Sequence, residues 1–172
     1  MKLINLFAIS IALCLLILPS CLGNDGYNDY SEWKALNDDF LKQAETETQE
    51  GSLVYNKVVP NWDRNIFVLM QWHNKRKENE NKLFPLSNST VTLNYTLTNV
   101  QGDTLDMGNA FQCQPNTMIT GFWTAVTNMI VGDTVTAILP YNAAYGVGGS
   151  GAILPYSTLI FGIRLESIDK LY

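Results

Sequence analysis

Between Ile138 and Leu165 the chain passes from one apolar, β-prone segment to another through a stretch holding Gly146, Gly148, Gly149 and Gly151. Pro140 closes the first segment and Pro155 precedes the second, Thr158 to Leu165. Two strands that carry a long loop between them demand a sheet, and long loops held on rigid strands tend to be functional. This loop carries Tyr141, Tyr145, Ile153 and Tyr156. Those side chains make one wall of an apolar pocket, and the rest of the chain has to supply the others.

Upstream, Thr90 to Thr98 alternates residue by residue, with Val91, Leu93, Tyr95 and Leu97 on one face. That is the pattern of a strand with one buried side. Gln101-Gly102-Asp103 reads as a turn, Thr104 to Asp106 resumes extended chain, and Met107-Gly108-Asn109 interrupts it. A second extended piece begins at Phe111 and ends at Pro115. Met118 to Met129 is expected to be a helix capped by Asn116 or Thr117, with Phe122, Ala125, Val126 and Met129 on its inner face. Asp133 to Leu139 is again a strand, as are Leu53 to Tyr55 and Ile66 to Trp72. Strand runs with one helix packed on them give an α+β domain with a largely antiparallel sheet.

Before the strands, Trp33, Leu36, Phe40, Leu41 and Ala44 recur at helical spacing, and Asp29 with Glu32 three residues on forms a variant capping box. The opposite face carries Lys34, Asn37, Asp38, Lys42, Gln43 and Glu45. This helix either packs on the main domain or serves as a contact surface or spacer.

The chain of 172 residues suits one domain, and 47% apolar content is globular rather than disordered. A net charge of −5 argues against nucleic acid as a partner, because phosphate neutralisation needs a basic face. The basic run Lys75-Arg76-Lys77 lies among Glu78, Glu80 and several Asn, and reads as a solvated hairpin tip. Three cysteines, Cys14, Cys21 and Cys113, show neither metal spacing nor a disulfide framework, and Cys113 reads as a small buried apolar side chain. No cofactor and no metal are expected.

Residues 1–20 read as a signal peptide: Lys2 supplies the positive charge, and Leu3 to Leu18 is an almost unbroken apolar run, shorter than the ~20 residues of a comfortable membrane span. The tail Ile17-Leu18-Pro19-Ser20-Cys21 is similar to a bacterial lipobox, which makes Cys21 a lipidation site and the membrane a partner through that anchor. Residues 21–51 then form a tether and the helix, and residues 52–172 the main domain.

The order of parts in that domain resembles the FKBP-type peptidyl-prolyl isomerases, from roughly Ser52 to Ser167. Thr92-Leu93-Asn94-Tyr95-Thr96 looks like the family's strand ending in a pocket tyrosine. Gly102 to Asp106 looks like its Gly-x-x-Phe-Asp segment, with Leu105 for the usual Phe. Met118 to Phe122, followed by Met129 to Asp133, looks like its Val-Ile-x-Gly-Trp and Met-x-x-Gly pair. Pro140 to Gly146 looks like its Pro-x-x-x-Ala-Tyr-Gly loop, and Ile153-Leu154-Pro155 with Leu159-Ile160-Phe161 matches the ending. The helix and lipobox ahead of it resemble lipoprotein members of Bacteroidetes-like bacteria.

The resemblance implies an FKBP-like antiparallel half-barrel sheet wrapped around one short helix, here with an extra N-terminal helix. It implies a catalytic set of Tyr95, Asp106 and Tyr145, with Leu105, Phe111, Met118, Ile119, Phe122, Ile153 and Phe161 binding substrate. The implied partners are proline-containing unfolded or exported polypeptides met in the cell envelope. Phe122 stands where tryptophan is usual, and the chain between Asp106 and Phe111 is shorter than in well-known members. Those departures bear on rate and selectivity more than on fold. They also leave open a second reading, an FKBP-fold chaperone or peptide-binding lipoprotein of weak turnover.

Overall fold

The computed structural model describes residues 29–76 and 83–170. The leader, Cys21 and the tether to Asn28 lie outside the described residues, as do Lys77 to Lys82. The alternating segment forms the strand β5 (Thr90–Thr98), with Val91, Leu93 and Leu97 buried and Tyr95 half-buried. The remaining elements are α1 (Ser31–Thr46), β1 (Thr48–Gln49), β2 (Ser52–Leu53), β3 (Asn56–Val58), β4 (Val68–Trp72), β6 (Thr104–Cys113), α2 (Thr120–Val126), β7 (Thr134–Leu139) and β8 (Leu159–Lys170). Six strands make one antiparallel sheet in the order β3-β4-β7-β8-β5-β6. The first two strands form a separate hairpin, turned at Glu50 and Gly51, both with positive φ.

Helix α2 lies on the inner face of that sheet. Phe122, Ala125, Val126 and Met129 are fully buried among Val91, Leu93, Val135, Ala137, Leu139, Leu159, Phe161 and Ile163. A seven-residue helix has no independent stability, since isolated helices below ~12 residues are marginal in water. Burying Phe122, Val126 and Met129, at about 1.5–3 kcal/mol each, is what holds it. Gly121 lets the helix approach so closely: a Cβ there would meet Leu139 Cγ at 2.5 Å and the Ala143 carbonyl oxygen at 2.9 Å.

The helix is shorter than the periodicity of Met118 to Met129 predicts. Pro115–Thr117 form a 3-10 turn, and Met118 and Ile119 are extended. At the other end, Asn128 and Met129 donate to the carbonyls three residues back, which tightens the last turn and still buries Met129. Strand β6 is likewise continuous where two pieces are expected. Between the pairs Leu93–Phe111 and Tyr95–Gly108, Asn109 and Ala110 oppose Asn94 alone, so the Met107-Gly108-Asn109 interruption is a bulge rather than a break. Ala110 takes a positive φ there, and its N–H donates to Asn94 Oδ1 at 2.7 Å.

The segment after β4 is not the solvated hairpin tip its charge predicts. Strands β4 and β5 are not neighbours in the sheet, so the segment crosses over between them. Arg76 reaches the fully buried Asp133, with Nη2 at 2.5 Å and Nε at 3.1 Å from Oδ2. Asn74 and the Ile130 N–H also donate to that carboxylate. Burial would raise the Asp133 pKa, but these hydrogen bonds and the Arg76 charge outweigh it and hold the carboxyl below the usual range.

Helix α1 covers the opposite face of the sheet. Ala44 is buried and Phe40 and Leu41 half-buried against Leu69, Ile138 and Ile160. It begins at Ser31 with Tyr30 at the N-cap and no side-chain cap there, so the expected Asp29–Glu32 capping box does not form; Asp29 Oδ1 instead accepts the Ser31 N–H at 2.9 Å from one position before the cap. Asn37, expected on the solvent face, is fully buried. Its Nδ2 donates to the Trp33 carbonyl at 2.8 Å, and its Oδ1 accepts the Thr158 N–H at 2.7 Å.

Candidate functional site

Four aromatic rings converge where β5, β6, β8 and α2 meet. Tyr95 on β5 has Phe111 edge-on at 5.4 Å between centroids, Phe122 at 6.1 Å and Phe161 at 6.0 Å. Phe122 and Phe161 pack edge-to-face at 5.2 Å. Edge-to-face geometry sets the positive ring edge against the negative face, worth about 0.5–1.5 kcal/mol per pair beyond burial. The cluster grades from closed to open. Phe122 and Phe161 are buried, Tyr95 and Phe111 half-buried. Leu105, Met118, Ile119 and Ile153 are half-buried against the same core.

At the open side the Tyr95 hydroxyl donates to Asp106 Oδ2 at 2.7 Å. The other carboxylate oxygen accepts the Met107 N–H at 2.8 Å. Both oxygens of an exposed side chain are thus engaged, and the carboxylate has a fixed orientation. A second bulge aims it: β6 inserts Leu105 between the pairs Leu97–Asp106 and Thr98–Thr104. The Tyr95 hydroxyl is pushed up to about 12, first by burial, then by its hydrogen bond to Asp106 and that group's charge, with Tyr145 and Cys113 adding smaller effects. Tyr145, on the loop that follows β7, is 38% exposed.

Gly108 sits behind this arrangement. A Cβ there would stand 2.4 Å from Tyr95 Cε1, so only glycine lets β6 pass this close to the ring. Neither this contact nor the Asn94 brace of the bulge was singled out by sequence reasoning. An isolated glycine within a strand pattern is the signal that points to Gly108.

The glycine-rich loop is pinned rather than loose. Ser150 and Ile153 exchange backbone hydrogen bonds, and the Tyr156 N–H donates to the Gly146 carbonyl at 3.1 Å. Of the side chains expected to make the pocket wall, Tyr141 and Tyr156 instead pair edge-to-face at 5.5 Å and face Lys34 of α1. Neither packs against the aromatic core, to which this loop contributes Ile153 and Ala144. Trp123 points away from the cluster, as its place on the helix predicts, and stacks on Trp62 at 4.4 Å. Cys113 is half-buried, and burial pushes its thiol up to about 11, which suits a packing role.

Residues 82–166 match the family model of the FKBP-type peptidyl-prolyl cis-trans isomerases. The chain is 34% identical over 97 residues to FK506-binding protein 1 of Eremothecium gossypii, a match covering 52% of this chain and 85% of that protein. This chain belongs to the FKBP-type peptidyl-prolyl cis-trans isomerase family. It is by that membership an enzyme of the isomerase class. The macrophage infectivity potentiator of Trypanosoma cruzi is 42% identical over 64 residues, which span 37% of this chain and only 33% of that protein. Among solved structures, a peptidyl-prolyl cis-trans isomerase from Pseudomonas syringae superposes with a TM-score of 0.69 at 18% identity, covering 84% of this chain and 98% of that one. FkpA from Escherichia coli gives 0.66 at 21% identity, covering 81% and 60%. Those two likenesses speak to the fold, and the FKBP-type arrangement of a sheet around a short helix is the one described above.

Proposed function

We propose that this FKBP-type domain isomerises X-Pro bonds in exported polypeptides, and that Tyr95, Asp106 and Tyr145 act at the rim of the aromatic cluster. The observation that carries this reading is the Tyr95–Asp106 hydrogen bond at the mouth of an apolar, ring-lined site. Rotation about an amide faces a barrier of about 18–20 kcal/mol because resonance stiffens the C–N bond. No bond breaks, so catalysis requires only that the twisted amide bind better than the planar one. The twisted form has lost resonance and part of its charge separation, and an apolar pocket receives it more readily than it receives the planar amide. Phe111, Ile119 and Ile153, half-buried, face the proline ring and exclude water, while Phe122 and Phe161, expected among the substrate contacts, are buried in the core and back them from behind. Leu105 and Met118 flank the proline ring. Tyr145 donates its hydroxyl to a substrate carbonyl. Asp106, oriented by Tyr95 and the Met107 N–H, presents a fixed negative charge to the rotating amide. A protease-coupled or NMR exchange assay on a Phe-Pro peptide tests the reading, and no acceleration at micromolar protein would sink it.

The second reading, an FKBP-fold peptide binder of weak turnover, is favoured by Leu105 and Phe122, which offer less aromatic surface than the residues usual there. Peptide binding that survives while Tyr145→Phe and Asp106→Asn leave the exchange rate untouched would favour it.

The place of action is part of the proposal. The apolar leader and Cys21 support secretion and lipid anchoring in the cell envelope, with the membrane as partner through that anchor. Metabolic labelling with a fatty acid, lost in Cys21→Ser together with membrane association, is the expected result. An unlabelled protein in the membrane fraction contradicts it.

A further inference from the structure

The N-terminal helix reaches the site. Its inner side chains lie on the far face of the sheet, but its first turns run along the loop that presents Tyr145 and Ile153. Two hydrogen bonds hold them there, and a third within the loop extends the second. Asn37 accepts the Thr158 N–H, Trp33 Nε1 donates to Ser157 Oγ at 3.0 Å, and Ser157 Oγ in turn donates to the Leu154 carbonyl at 2.7 Å. The polar edge of the indole is thereby satisfied by the loop, which leaves its faces as apolar wall.

Between this helix and the β5–β6 turn lies a cleft of ≈ 100 Å³, bounded by Trp33, Leu105, Ile153 and Leu154, with Asn99 and Gln101 at one edge. Two of its walls, Leu105 and Ile153, are also walls of the candidate proline site, so the cleft continues that site. Leu154 is 43% exposed, so this wall of the cleft is open to a ligand. The volume is far below the roughly 300–1,000 Å³ of a whole-ligand pocket and of the size of a single aliphatic or aromatic side chain. No charged side chain bounds it, and Trp33, Leu105, Ile153 and Leu154 make an apolar side of it on which an aliphatic or aromatic side chain can rest, with Asn99, Gln101 and Ser157 as its polar rim. We propose that Trp33 is a specificity-determining residue, and that it closes a subsite for one apolar side chain of the substrate peptide flanking the proline. The helix that carries it lies outside the segment matched to the family model, so this one wall of the subsite comes from the chain's N-terminal part.

The proposal rests on the isomerase reading for its substrate, and a binding readout separates the two. Fluorescent proline peptides, with one flanking position at a time set to Ala, Val, Leu or Phe, are titrated against the full chain, and the same peptides are run for turnover. Leu is expected to bind more tightly than Ala at one flanking position by about tenfold or more, since each buried methylene contributes a factor of roughly four and the open cleft buries only part of the three extra carbons. Trp33→Ala is expected to reduce that preference to about twofold or less, and Leu154→Ala, on an exposed wall residue that tolerates truncation, to do the same. Ser157→Ala removes the hydrogen bond but not the wall, and is expected to keep the preference. Equal Kd values for Ala and Leu peptides at every position overturn the proposal, with or without turnover. So does a preference that persists in both Trp33→Ala and Leu154→Ala. If Ser157→Ala matches Trp33→Ala across all peptides, Trp33 only holds the loop and the subsite is refuted. Absence of turnover with the binding preference intact defeats the isomerase reading and leaves the subsite standing.

Discussion

Removing the Tyr95 hydroxyl is the sharpest perturbation of the candidate site. Tyr95→Phe keeps the ring and its contacts to Phe111, Phe122 and Phe161, and deletes only the donor to Asp106. A hydrogen bond to a charged acceptor is worth about 1.5–3 kcal/mol, and the exposure of Asp106 places this one at the lower end. The Met107 N–H still holds one carboxylate oxygen, so the side chain is loosened rather than lost. If the oriented charge stabilises the twisted amide, kcat/KM falls by about tenfold in Tyr95→Phe, equivalent to ~1.4 kcal/mol. Asp106→Asn removes the charge while keeping an acceptor for Tyr95, and should lower kcat/KM at least as far. The decisive quantity is the coupling. In the Asp106→Asn background, Tyr95→Phe should cost less than about threefold, because the charge it orients is gone. The assay is peptide exchange kinetics on all four proteins, with thermal unfolding run alongside. Independent, multiplicative effects of the two substitutions refute the argument that Tyr95 acts through Asp106. A stability loss with unchanged kinetics does so as well.

Arg76→Met is expected to destabilise the fold by about 3–5 kcal/mol at neutral pH, because it strands the buried Asp133 carboxylate, and urea unfolding measures it. In the unaltered chain the Asp133 pKa is lowered, so its contribution is present above the unfolded value of ~3.9 and is lost as pH falls through the lower native value. The gap between Arg76→Met and the parent should therefore narrow in acid. Gly108→Ala forces Tyr95 aside, since the added Cβ would stand 2.4 Å from its ring, and peptide exchange should slow by tenfold or more on the scale of misplacement effects (about a hundredfold per ångström), with the fold retained by circular dichroism. Tyr95 itself keeps its proton to about 12 in the native state and releases it near ~10 when unfolded, so stability should fall as pH rises between those values. Alkylation of Cys113 by iodoacetamide at pH 8 should be slow in the native protein and fast in urea, and native-rate labelling would contradict its raised thiol pKa.

What could be read from sequence follows from the range over which each signal acts. The alternation of Val91, Leu93, Tyr95 and Leu97 reports which side of one strand meets the core, and the structure buries that side. The spacing of Phe122, Ala125, Val126 and Met129 does the same for the short helix, though it overstates the length because a 3-10 turn can extend one face at nearly the same period. Arg76 and Asn37 depart from the local pattern for the opposite reason. Each is a polar residue in a polar neighbourhood, and what buries it is a partner 57 or 121 positions away. No local pattern encodes such a pairing. The bulges of β6 fall between these cases. Gly108 marks the place, yet the outcome depends on Asn94 of the neighbouring strand satisfying the freed Ala110 N–H.

The same distinction governs the site. Tyr95 and Asp106 are eleven residues apart on neighbouring strands joined by one turn, so a resemblance in local segments suffices to bring them together. Tyr141 and Tyr156 lie in the loop no less than Tyr145 does, and composition makes all of them wall residues. They turn the other way because α1 presents Lys34 beside both rings and Asn37 to the backbone that follows. The loop's division of labour is thus decided by a helix outside the matched segment. A docked helix that takes two tyrosines from the loop and adds Trp33 to its edge changes the walls available to substrate, while leaving the Tyr95–Asp106 pair on its own two strands. On the subsite proposed above, a substitution in α1 should move peptide selectivity while leaving the Tyr95–Asp106 hydrogen bond in place.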